Sequence, residues 1–235
     1  MSIRVPDSTN RTVVIGRTGS GKTVFGVELL SLQNFHEMPW VIIDFKGDEL
    51  INKVVSQNKV REISVKGSPP KSPGLYVMYP KPLVDDELLE KWLMKCWAQE
   101  SIGLYIDEGY ALPRMGKTQA FTLILTQGRS KNVPVIILYQ RPVFMNLFSI
   151  AQANFFAVFD QNIETDLKKT AEFITPAITP DGRKISVFTK LPNYYSLWHD
   201  VSEGRTNVLL PTPGERSTLQ RFRDRLTPQK QRRFI

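Results

Sequence analysis

Apolar residues recur along this chain in short unbroken runs, separated by stretches with helical spacing. The runs at 12–15, 40–44, 75–79, 104–107, 135–139 and 155–159 are rich in Val, Ile, Leu, Phe and Tyr and read as strands buried on both faces. Between and after them, 48–57, 85–99, 117–129, 143–152 and 164–174, with a further helix opening near Lys22, place apolar residues at helical period. Strand and helix in alternation predict an α/β fold, a three-layer sandwich with a mostly parallel central sheet. Residues 66–74 hold Pro69, Pro70 and Pro73 and must be a loop, since proline lacks the N–H a ladder needs. Past Pro176 the pattern shifts to turns and short alternating segments at 194–201 and 206–210 around Glu203-Gly204, a β-hairpin signature. The expected organisation is a core over 1–176, a hairpin appendage packed on it over 177–214, and a basic tail over 215–235.

Directly after the first strand, Gly16-Arg17-Thr18-Gly19-Ser20-Gly21-Lys22-Thr23 satisfies G-x-x-x-x-G-K-[ST] at every fixed position. Gly16, Gly19 and Gly21 let the backbone approach a phosphate, so that successive N–H groups around Ser20 can ring an anion at a helix N-terminus. Lys22 supplies a point charge for β- and γ-phosphates, and the Thr23 hydroxyl is placed to enter a Mg2+ shell. ATP with Mg2+ is the expected occupant.

A phosphate loop binds nucleotide without necessarily hydrolysing it. Hydrolysis needs an acid on a nearby strand for the metal's water shell and a group that positions the attacking water. The run Ile102-Gly103-Leu104-Tyr105-Ile106-Asp107-Glu108 offers both at the carboxyl end of a buried strand: Asp107 for Mg2+ and Glu108 as base. At the end of another strand, Gln140 can donate a hydrogen bond to the γ-phosphate and sense its presence. Arg129 ends the preceding helix, where its guanidinium could reach a neighbouring subunit's γ-phosphate as an arginine finger.

With GRTGSGKT, IIDFKGDEL, LYIDE and GRSKNVPVIILYQRP in this order, the stretch 12–142 resembles the FtsK/HerA superfamily of DNA-pumping ATPases, whose last strand ends in Gln-Arg-Pro. Its compact size is similar to that of the genome-packaging ATPases of tailless, internal-membrane phages and their poxvirus-type relatives. The resemblance implies a ring, commonly a hexamer, that moves double-stranded DNA through its centre with ATP sites between subunits. It also implies the roles above for Lys22, Thr23, Asp107, Glu108 and Gln140, and supports Arg129 acting in trans. The membrane segments and DNA-orienting domain of bacterial chromosome pumps are not recognisable, which favours packaging over segregation. Capsid or viral-membrane proteins of the packaging vertex are then the expected partners, and the host cytoplasm during assembly, or the virion vertex, the expected location.

A net charge of +8 on 235 residues suits a polyanionic partner, and Lys66, Lys71, Arg183 and Lys184 are loop cations that could touch it. The excess is concentrated at Arg216, Arg221, Arg223, Arg225, Lys230, Arg232 and Arg233, readable either as a nucleic-acid contact or as a solvated end. No secretory leader is recognisable, and the longest uncharged stretch, 142–159, is interrupted by Asn146, Ser149, Gln152 and Asn154, so it reads as a buried helix running into a buried strand. Cys96 among Leu93, Met94 and Trp97 reads as a core residue, and neither His36 nor His199 has metal-ligand neighbours. Two other functions fit part of the pattern: a phage export ATPase, expected to carry a membrane span, and a nucleotide-gated DNA-binding scaffold, which would need neither Glu108 nor Gln140.

Overall fold

The buried runs do form strands. In a computed structural model that describes residues 3–227, they are β1 (Arg11–Ile15), β2 (Pro39–Ile43), β3 (Arg61–Glu62), β4 (Gly74–Met78), β5 (Gly103–Ile106), β6 (Val135–Tyr139) and β7 (Phe155–Phe159), all in parallel pairings. A two-stranded ribbon of β8 (Ala177–Ile178) and β9 (Lys184–Ile185) follows, then the antiparallel hairpin β10 (Ser196–Asp200) and β11 (Arg205–Leu209). The main sheet has nine strands in the order β11-β10-β7-β1-β6-β5-β2-β4-β3. β6 therefore lies between the phosphate-loop strand and the strand that ends at Asp107.

Side chains alternate across each strand, so the sheet builds a core on each face. Val13 and Ile15 of β1 point into the layer of Leu89, Trp92, Leu93, Cys96, Phe121 and Ile124, contributed by α3 (Asp86–Gln99) and α4 (Gln119–Gln127). Val14 points the other way, toward Val27 and Leu30 of α1 (Lys22–Ser31) and Ile51 and Val54 of α2 (Glu49–Gln57). Cys96 is a buried thiol of the first layer, as its neighbours suggested. His199 is buried in β10 with its Nδ1 against the Thr206 hydroxyl at 2.9 Å, a structural contact.

The hairpin continues the sheet as its edge and does not pack on a face. β10 runs antiparallel to β7 from Ser196↔Phe159 to Asp200↔Phe155, and Trp198 stacks on Phe155 with ring centroids 5.1 Å apart.

Two segments differ from expectation. The helix expected over 143–152 is broken into a 3-10 turn, Pro142–Phe144, and a short α5 (Leu147–Ala151). The cause is Asn146, whose Oδ1 caps the Phe148 N–H at 2.8 Å while its side-chain amide donates to the Gly116 carbonyl, so the chain takes a non-helical step there. Leu147 and Phe148 of this helix are exposed, so it is buried only in part. The first part of the expected basic tail is an ordered helix, α7 (Glu215–Leu226), packed on α1 and α2. Phe222 stacks on Phe35 at 5.9 Å, the Thr218 hydroxyl donates to buried Glu28 at 2.6 Å, and Arg221 pairs with the same carboxylate. Arg225 donates to the Gln33 carbonyl at 3.2 Å. These arginines serve the fold, while Lys230, Arg232 and Arg233 lie outside the described residues. Among the described residues no helix is long and apolar enough to cross a membrane. The remaining helix, α6 (Glu164–Ala171), follows β7.

Candidate active site

The loop from β1 to α1 lies at the carboxyl edge of the parallel strands, where ligands bind in open α/β sheets. Gly19 and Gly21 have φ of 78° and 95°, and α1 starts at Lys22 with no side chain capping its N-terminus. Its first N–H groups are therefore left for an anion. Gly16 is required for a different reason: a Cβ there would come 2.5 Å from Ser20 Oγ and 2.8 Å from the Phe159 Cβ. The Ser20 hydroxyl is buried with no hydrogen-bond partner among the described residues, and Thr23 follows in the first turn of α1. Lys22 is only 6% exposed, and its ammonium pKa is lowered by burial and by Lys46, against the opposing pull of Glu108, Asp107 and Asp48.

Asp107 and Glu108 emerge from β5, and the parallel pairing of β5 with β6 places Gln140 beside them. Gln140 Nε2 donates to Glu108 Oε2 at 2.8 Å. The same oxygen takes the Lys46 ammonium at 2.7 Å, leaving Glu108 Oε1 buried and without a partner among the described residues. Asp107 is buried, neither of its oxygens has a hydrogen-bond partner among the described residues, and Lys46 Nζ lies 3.7 Å from it. Its carboxyl pKa is pushed up to about 6, chiefly by burial, with Asp48 and Asp44 adding to the rise and Lys46 and Lys22 opposing it. A buried, under-satisfied carboxylate costs free energy unless a cation or donor arrives, so this pair fits a Mg2+-bound triphosphate.

Lys46 is the site residue that the sequence did not assign. It sits on the turn after β2, where Asp44 accepts the N–H groups of Lys46, Gly47 and Asp48, each at 3.0 Å, and Asp48 then caps α2. That turn folds the lysine back over the neighbouring strand's acids. Burial alone would lower the Lys46 pKa, but its hydrogen bond to Glu108 and the charges of Glu108, Asp107 and Asp48 raise it. The available signal was the position of IIDFKGDEL, a strand followed by a tight Asp–Gly turn carrying a cation.

Arg141 lines the cavity beside Glu108 and Gln140, but its guanidinium is engaged elsewhere. It pairs with buried Asp166 of α6 at 2.9 Å and lies over the Phe144 ring at 5.0 Å. Arg129 is exposed just past α4, beside Arg11 at the start of β1, and so lies at the opposite edge of the sheet from the phosphate loop. A five-residue strand spans about 16 Å, beyond the reach of an arginine, so Arg129 cannot serve the site of its own chain.

A glycine-rich phosphate loop on a parallel sheet, faced across β6 by an aspartate, a glutamate and a hydrogen-bonded glutamine, defines a P-loop ATPase. No family model matches the chain. It is 36% identical over 224 residues to the DNA packaging ATPase P9 of Enterobacteria phage PRD1, an alignment covering 94% of this chain and 96% of that protein. The fold resembles the genome packaging NTPase B204 from Sulfolobus turreted icosahedral virus 2 in complex with AMP, with a TM-score of 0.61 at 18% identity over 88% of this chain and 100% of that one. It also resembles EssC (ATPases 2 and 3) from Geobacillus thermodenitrificans, with a TM-score of 0.60 at 15% identity over 93% of this chain and 44% of that one. The chain belongs to the family of the PRD1 DNA packaging ATPase.

Proposed function

We propose that this chain hydrolyses ATP between Lys22 and the Asp107-Glu108 pair and uses the cycle to drive double-stranded DNA into a preformed capsid. The observation that carries this reading is Glu108, buried, held through one oxygen by Gln140 and Lys46, with its other oxygen buried and without a hydrogen-bond partner among the described residues. A gate that only binds nucleotide has no use for such a base.

In the proposed reaction the phosphate-loop N–H groups and Lys22 hold the β- and γ-phosphates. Thr23 and Asp107 would hold Mg2+, whose charge would offset that of the phosphates. Glu108 Oε1 takes a proton as water attacks the γ-phosphorus, and the β–γ bridging oxygen leaves on ADP. Gln140 can turn from Glu108 toward the γ-phosphate, so its partner differs between the empty and loaded states. Arg129 acts on a neighbouring subunit's site, the only one open to it, which makes a ring with ATP sites between subunits the working form; a hexamer suits this arrangement. The ring would act in the host cytoplasm during assembly and dock on capsid or viral-membrane proteins at the packaging vertex. Lys66, Lys71 and Lys184 are exposed and available to the DNA backbone. Arg183 is exposed too, with Asp181 at 2.6 Å.

DNA-stimulated phosphate release tests the reading. It should be lost, by roughly a hundredfold or more, in Lys22→Ala and Glu108→Gln, while Glu108→Gln still binds ATP. Turnover indifferent to duplex DNA in the assembled protein would overturn it.

A further inference from the structure

The strand order gives the nucleotide a direction. Asp107 and Glu108 on β5 and Gln140 on β6 lie to one side of β1, so the γ-phosphate points that way. The remainder of the nucleotide must leave the phosphate loop on the opposite side, over β7 and the start of β10. One aromatic side chain stands there in the open. Tyr194 is 58% exposed, and a Cβ added at Gly21 would lie 3.0 Å from its ring and 3.8 Å from that of Phe159. Phe159 is itself buried against Phe25, with ring centroids 5.6 Å apart.

The backbone at Tyr194 is unusual. Its φ is 67°, in a turn closed by the Tyr195 N–H on the Pro192 carbonyl at 3.2 Å, at the position where glycine is preferred. An aromatic residue held in a left-handed conformation at the rim of a ligand site is a strained position that asks for a functional account. We propose that Tyr194 is the platform on which the purine base of the nucleotide stacks, with its π-face as the recognition element. The proposal rests on the ATPase reading above and adds a base subsite to it. Every base has a π-face, so stacking alone favours no particular purine.

Isothermal calorimetry with ATP and with inorganic tripolyphosphate separates base from phosphate binding. Tyr194→Gly suits the left-handed backbone and keeps the turn. It should weaken ATP about tenfold and leave tripolyphosphate unchanged, while Tyr194→Phe binds both as the parent does. ATP binding undiminished in Tyr194→Gly would overturn the proposal, as would equal loss of ATP and tripolyphosphate, which would make the tyrosine a support of the loop. Lys22→Ala, which should lose both ligands, checks the underlying reading: if the parent protein binds neither ligand, the ATPase assignment fails and the platform with it.

Discussion

Asp107→Asn should stabilise the empty protein while abolishing its hydrolysis. The Asp107 pKa rises from 3.8 to about 6 in the folded chain, through burial first and through Asp48 and Asp44. A carboxyl whose folded pKa lies above its unfolded one favours the folded state fully below the unfolded value and loses that contribution as pH rises through the folded value. Each pKa unit is worth about 1.4 kcal/mol, so ionised Asp107 costs about 3 kcal/mol at pH 8 and about 1 kcal/mol at pH 4.5. Asparagine stays neutral and removes the cost at both. Against a typical total stability of about 5–15 kcal/mol this is a large gain for one atom exchanged. The assay is urea unfolding of metal-free protein in EDTA at the two pH values, with the m-value checked for constancy. A gain independent of pH, or a loss at pH 8, would refute the reasoning, because either would mean that Asp107 is not an uncompensated buried charge in the empty site. Mg2+ with ATP should stabilise the parent, and in Asp107→Asn the part of that gain that depends on Mg2+ should shrink.

Lys46→Met removes the cation nearest to both acids, so the Asp107 pKa should climb further and the acidic limb of the kcat/KM profile should move up by about one pH unit; an unmoved limb would show that Lys46 does not face the acids in solution. Phe222→Ala should destabilise the protein by about 3–5 kcal/mol without touching the nucleotide site, because the ring is fully buried against Phe35. Thermal unfolding set beside ATP affinity measures both.

Local pattern was enough for six of the strands and for the phosphate loop, because a fully buried parallel strand writes itself as an apolar run and the loop's chemistry is contiguous. Asp107, Glu108 and Gln140 could be picked out as candidates for the same reason, since they lie within two residues of a strand end, and the structure brings them together. Lys46 was not, since its role depends on β2 pairing with β5 and on the Asp44 turn, contacts that no local window contains. The exposed two-residue β3 has no apolar signature at all. In α7 six charged residues masked Leu219, Phe222 and Leu226, whose spacing marks one helical face. The break at Asn146 was masked in the opposite sense, because Val143, Phe144, Leu147, Phe148 and Ile150 continue an apolar pattern through a residue whose side chain caps a new helix.

The pairing of β10 with β7 has a consequence for how the protein is made. Gly21 and Tyr194 touch in space and are far apart in the chain, so at ordinary rates of synthesis the phosphate loop leaves the ribosome on the order of ten seconds before its wall. In the last few seconds of that interval Phe155–Phe159 is a wholly apolar strand with β1 on one side and nothing yet on the other, the kind of edge that joins to another nascent copy. A chain stopped short of Ser196 would keep the whole of its phosphate-binding motif and would aggregate through β7.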